Sequence, residues 1–160
     1  MIEGSLPRLA AMPEPKPPRV VSIALQAILI AVCCGVGETV LRAALMLDRP
    51  DADVVGLLPI LAIRVAIYLA VVAAAFRMAA GAQWARWTLI IGLGTVGLAS
   101  LVADPLSAAL TAPHLGDLEV NWTAESLVLA QFRIVHIVAV LIAVPAMLRA
   151  GAHFRSAPKP

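Results

Sequence analysis

The sequence predicts an all-α protein, a four-helix transmembrane bundle, and three observations carry that reading. Hydrophobic side chains make up 61% of the 160 residues, and only 14% are charged. The mean hydropathy is +0.93. A water-soluble domain of this size has no core large enough to hide so much apolar side chain, so lipid has to cover it. The apolar residues also fall into four long runs, Val20 to Leu47, Gly56 to Ala80, Trp87 to Val102 and Thr123 to Leu148. Each approaches or exceeds the roughly 20 residues that a helix needs to cross about 30 Å of hydrocarbon. The runs are rich in Ala and Leu and lack the short alternating segments of a membrane β-barrel. The third is the shortest and starts at the earliest near Trp84.

Residues 1–19 contain Pro7, Pro13, Pro15, Pro17 and Pro18 and read as a disordered, Pro-rich cytoplasmic tail. A cleaved signal peptide does not fit, because the following apolar run is far longer than an h-region and no small-residue cleavage site follows it. Residues 20–149 hold the four spans. The first span ends in CCGVGETVLRAALMLDR, residues 33–49, where Glu38 and Arg42 interrupt an otherwise apolar stretch. Cys33 and Cys34 are the only cysteines. Neighbouring cysteines bridge each other only with strain, and there is no C-x-x-C, so the thiol-oxidising four-helix membrane enzymes of the disulfide-bond and vitamin K reductase families are excluded. Both cysteines are expected to pack as small polarizable residues.

The second span carries Arg64 and Tyr68. The turn after it, FRMAAGAQWARWTL at residues 76–89, sets Arg77 and Arg86 towards lipid phosphates, with Trp84 and Trp87 as anchors in the headgroup layer. The order Arg77, Gly81, Trp84-Ala85-Arg86 resembles a turn found in small, mostly uncharacterised four-span integral membrane proteins of actinobacteria. That resemblance covers the turn and the hydropathy outline. It implies a bacterial inner-membrane protein and supplies no mechanism.

In the third span GLGTVG, residues 92–97, matches G-x-G-x-x-G. A dinucleotide fingerprint works only at a strand-to-helix turn, so within a span the same glycines predict close helix packing. Asn121-Trp122-Thr123 fits a glycosylation sequon but abuts the fourth span, where a capping Asn121 or Thr123 and an interfacial Trp122 account for it. The fourth span carries Arg133 and His136, and residues 150–160 form a cytoplasmic tail.

Orientation follows from the basic residues outside the spans. Arg8, Lys16, Arg19, Arg77, Arg86, Arg149, Arg155 and Lys159 fall on one side. The other side has Arg49 alone, among Asp48, Asp51, Asp53, Asp104, Asp117 and Glu119. The positive-inside rule therefore predicts that both termini of this multi-pass protein are cytoplasmic, and the resemblance implies that its membrane is the inner (plasma) membrane. The net charge of +2 conceals this separation and points to no nucleic acid.

At 1.5 Å per residue from the outer helix ends, Glu38 lies about 13 Å deep, Arg42 about 7 Å, Arg64 about 12 Å and Arg133 about 13 Å. Tyr68 and His136 lie about 18 Å deep on the same count. Glu38 and Arg42 share a helix face in the favourable order, together with the small residues Ala27, Ala31, Cys34 and Gly35. Three helices thus bring Glu38, Arg42, Arg64, Tyr68, Arg133 and His136 into one polar layer. Glu38 neutralises one arginine, which leaves an excess of positive charge.

Two readings of that excess stand open. Arg42 and Arg64 reach outward to Asp48, Asp51 and Asp53, leaving Glu38 with Arg133 as a structural bridge. Or an anion binds at the layer: a lipid headgroup, a small carboxylate or phosphate, or an acidic residue of a partner.

No metal or cofactor is expected, since only His136 of the three histidines lies in a span; His114 and His153 do not. With no nucleophile, metal set or cofactor pair, the chain reads as a non-enzymatic membrane protein. The leading reading is a small accessory or interaction subunit, whose surroundings are the bilayer and a membrane-protein partner or a second copy. The alternative is a proton-coupled carrier of an anionic substrate, with Glu38 and His136 exchanging protons. Small multidrug exporters also keep a glutamate in the first of four spans, but they are shorter and little biased in charge, and arginines around the glutamate disfavour cationic cargo. A fluorescent reporter that matures only in the cytoplasm, fused after Pro160, is expected to be active; activity only of an outside-specific reporter would reverse the orientation.

Overall fold

The computed structural model describes residues 18–51, 53–99 and 123–151, with positions 102, 106 and 110 singly. Residues 1–17 and 152–160 of the two tails, residues 100 and 101 of the third span, and Asp104, His114, Asp117, Glu119, Asn121 and Trp122 of the following loop lie outside the described residues.

The described residues form four α-helices and no strand: α1 Arg19–Leu47, α2 Val54–Ala79, α3 Gln83–Ile91 and α4 Ala124–Arg149. α3 runs on into a π-helical turn, Gly92–Gly97. Three helices, α1, α2 and α4, are long and apolar enough to cross a membrane. They match the expected first, second and fourth spans to within two residues. Among the described residues the third segment is helical through α3 and its π turn to Ala99, and it is not one of these three; residues 100 and 101 of the expected Trp87 to Val102 span lie outside the described residues.

Local chemistry sets the helix ends. The carbonyl of Pro18 accepts from Val21 N–H and Ser22 N–H at 2.9 and 3.2 Å and so starts α1. Asp53 caps α2 by accepting Gly56 N–H at 2.9 Å. Thr123 caps α4, its hydroxyl accepting Ser126 N–H at 3.2 Å while Ser126 Oγ donates to the Thr123 carbonyl at 2.9 Å. α2 closes on Gly81, whose φ of 95° lets Gly81 N–H reach the Met78 carbonyl and Ala82 N–H the Arg77 carbonyl. In the third segment Thr95 Oγ1 donates to the Ile91 carbonyl. This back-bonding, next to glycines of low helix propensity, sits where the helix widens into its π turn.

α1 packs along α4 most extensively and on α2 less so, and α3 is seated against α2 and α4. The core lies where α1 begins and α2 and α4 end, and it is built from small residues: Ala24, Ala27 and Ala31 of α1, Ala74 and Ala75 of α2, Ala85 of α3, Ala139, Ala143 and Ala146 of α4. Ile28, Met78 and Met147 fill the space between them. Lipid is as apolar as leucine, so in a bilayer such alanines act through the close backbone approach and dispersion contact that they permit. Gly94 meets Val144 of α4, as the packing expectation requires, but a Cβ at Gly92 would meet nothing within 4 Å. Cys33 departs from its expected packing role, because it is exposed.

Thermal unfolding in detergent is expected to separate two glycines. Gly81→Ala should cost about 1 to 2 kcal/mol, because its φ lies in the left-handed region. Gly92→Ala should be neutral or stabilising by up to about 1 kcal/mol, because it adds helix propensity in open space.

Candidate functional site

Beyond the alanine core, the faces of α1, α2 and α4 are tied together by polar groups. Glu38 and Thr39 of α1 are each only 8% exposed. They are adjacent, and they serve different neighbours. The Glu38 carboxylate receives Arg42 Nη2 at 3.0 Å, one turn along α1, and Arg133 Nε at 3.0 Å, from α4. Both contacts use the same oxygen, Oε1. One carboxylate therefore neutralises part of two guanidinium charges and links α1 to α4.

Thr39 anchors the α2 side. Its hydroxyl lies 2.8 Å from the Gly35 carbonyl and 2.8 Å from Tyr68 Oη, and Tyr68 Oη lies 2.8 Å from the same carbonyl. Arg64 Nη1 donates to Thr39 Oγ1 at 3.3 Å. The proton count closes: Thr39 donates to Gly35, Tyr68 donates to Gly35 or Thr39, and Thr39 keeps lone pairs for Arg64. Gly35 makes this possible, since a Cβ there would stand 3.1 Å from the Tyr68 ring and hydroxyl. On the α4 side Gly37 does the same for Phe132, whose ring edge would meet a Cβ at 2.7 Å.

Glu38, Arg42 and Arg133 thus meet in one cluster, and Arg64 and Tyr68 in a second that adjoins it through the Glu38-Thr39 peptide. The Glu38–Arg133 bridge of the structural reading is present; Arg42 also turns to Glu38, and Arg64 donates to Thr39. Arg64 makes no ion pair among the described residues. His136 makes no hydrogen bond to either cluster among the described residues. Its buried Nδ1 has no hydrogen-bond partner among the described residues.

Of the expected interface anchors, Trp84 is 62% and Trp87 46% exposed. Trp122 lies outside the described residues. Arg86 departs from expectation: it is buried, with its guanidinium 5.1 Å from the Trp87 ring centroid and Nη2 3.2 Å from where a Cβ of Gly151 would stand. It therefore sits at the end of α4, where unsatisfied carbonyls concentrate negative potential and favour a cation.

Sequence reasoning missed Thr39 and the Gly35 carbonyl. The available signal was a threonine one turn from a glycine on the face already assigned to Glu38. Among the described residues there is no group of three His, Cys, Asp or Glu side chains able to hold a metal. A shallow groove on α4, lined by Leu127, Val128, Gln131 and Phe132, gathers no set of charged groups. No family model, curated protein or solved structure matches this chain.

The two clusters should differ in weight when unfolding is followed by detergent titration. Glu38→Gln leaves two guanidinium groups without their carboxylate and should cost about 3 kcal/mol. Tyr68→Phe removes one neutral interhelical donor and should cost about 0.6 to 1.7 kcal/mol.

Proposed function

We propose that this chain is a non-enzymatic protein of a bacterial inner membrane, both termini cytoplasmic, that serves as a small accessory or interaction subunit. Its polar layer sets how α1, α2 and α4 pack and presents one charged position to a partner. The observation that carries this reading is the double engagement of Glu38 by Arg42 and Arg133. A carboxylate that exchanges protons with a substrate pathway has to be reachable by its proton donor. Here both arginines occupy the same oxygen, and His136 makes no hydrogen bond to it. The asymmetry of basic residues supports the orientation, and the turn from Arg77 to Arg86 supports the bacterial assignment.

The carrier of an anionic substrate is the second reading, favoured by one observation: Arg42, Arg64 and Arg133 share the polar clusters with a single glutamate, Glu38. Reconstituted vesicles under a pH gradient distinguish the two. The accessory reading expects no proton flux above empty vesicles, whether residue 38 is Glu or is changed by Glu38→Gln, while the substitution lowers thermal stability. Flux in the native protein that Glu38→Gln abolishes in a still-folded variant would establish the carrier instead.

A further inference from the structure

We propose that Arg64 is the docking point for an acidic side chain, Asp or Glu, on a transmembrane helix of a different membrane protein. This rests on the accessory reading above and names the chemistry of the partner. Arg64 lies on an exposed face of α2, with Ile60 and Ile67 one turn to either side, each 54% exposed, and Ile63 adjacent at 62%. The upper part of α2 meets α1 through Arg64 and Tyr68 but has no fully buried residue: Ala74, Ala75 and Met78, the buried ones, all lie near its other end. Of the several N–H groups of the Arg64 guanidinium, the only hydrogen bond among the described residues is to Thr39, a neutral hydroxyl.

Charge and depth select the occupant. In hydrocarbon a guanidinium without an anion is costly, so complementarity calls for a carboxylate or phosphate. Arg64 stands ten residues into α2, about 15 Å from its start, and the Thr39 contact holds the guanidinium inward at the level of the polar layer. A lipid phosphate lies at the surface, whereas an acidic residue in the middle of another helix arrives at that depth. A second copy does not fit, because pairing this face with itself sets Arg64 against Arg64. Among the described helices the only acidic residues are Glu38, already shared by two arginines, and Glu125, in the first turn of α4. The flanking isoleucines then pack against the apolar surface of the incoming helix, as interhelical contacts in lipid require.

The test uses the full chain in phosphatidylcholine bilayers and a synthetic single-span helix of Leu and Ala, with Glu, Gln or Leu at its centre. Energy transfer between labels reports association. The Glu helix is expected to bind at least about tenfold tighter than the Gln or Leu helix, the scale of one charge-assisted interhelical contact. This comparison needs no change to the protein. In Arg64→Leu the preference should vanish, and in Arg64→Lys it should persist. Equal binding of the Glu and Gln helices, or a preference that survives Arg64→Leu, would overturn the proposal. So would Arg64-dependent retention of phosphatidylglycerol, or Arg64-dependent self-association, without any preference for the Glu helix. The vesicle flux experiment reports separately on the accessory reading: flux would refute that reading whatever the probe helix does, and indifference of the probe to Arg64 would refute this site alone.

Discussion

The rest of the bundle depends on one constraint, that a carboxylate and its cations placed within hydrocarbon have to find each other. An unpaired charge near the middle of a span costs about 2.5 to 3.5 kcal/mol on insertion scales, more than most single contacts in a membrane return. Glu38 meets this constraint twice over, through Arg42 on its own helix and Arg133 on α4. The intrahelical pair alone would leave α1 free to slide or rotate along α4. The Arg133 contact removes that freedom, because a shift of one residue would move Glu38 round the helix and away from its partner. An ion pair is specific in a way that apolar contact with lipid-like neighbours is not.

The small-residue core and the polar layer divide the work between the two ends of the bundle. At one end alanines bring four helices close enough for dense contact, and Arg86 closes that end beneath the last turn of α4. At the other end α2 and α4 bury no side chain fully, and attachment to α1 falls to Glu38, Thr39 and the Gly35 carbonyl. Few buried contacts mean that opening of this half is governed by a handful of hydrogen bonds and ion pairs. That half also carries the exposed Arg64 face, so the region best suited to meet a partner is the one held least by apolar packing.

Much of this was legible in the amino-acid sequence, for a physical reason. Continuous apolar runs bounded by charge mark α1, α2 and α4 to within two residues, because lipid leaves the backbone little choice but helix. The spacing of Glu38 and Arg42 placed them on one face, and counting depth placed Arg133 level with them. What the sequence did not disclose came from tertiary geometry. Thr39 is unremarkable until Gly35 admits the Tyr68 ring beside it. Arg86 has the surroundings of an interfacial anchor, yet the end of α4 draws it inward. His136 shares the depth of the layer, yet its buried Nδ1 finds no hydrogen-bond partner among the described residues, since depth specifies a level and not a partner. The π turn of the third segment falls where glycines and the Thr95 back-bond weaken regular α-helical bonding, a local effect that the hydropathy of the run does not disclose.

The functional account turns on whether Glu38 acts as a tie between helices. A double-mutant cycle between Glu38→Gln and Arg133→Gln, measured by reversible unfolding of the full chain in mixed micelles, tests that most directly. The account predicts a coupling energy of at least about 1 kcal/mol, with the double variant less destabilised than the sum of the two single changes. Strict additivity would contradict it, and would show that α1 and α4 hold their alignment without the shared carboxylate.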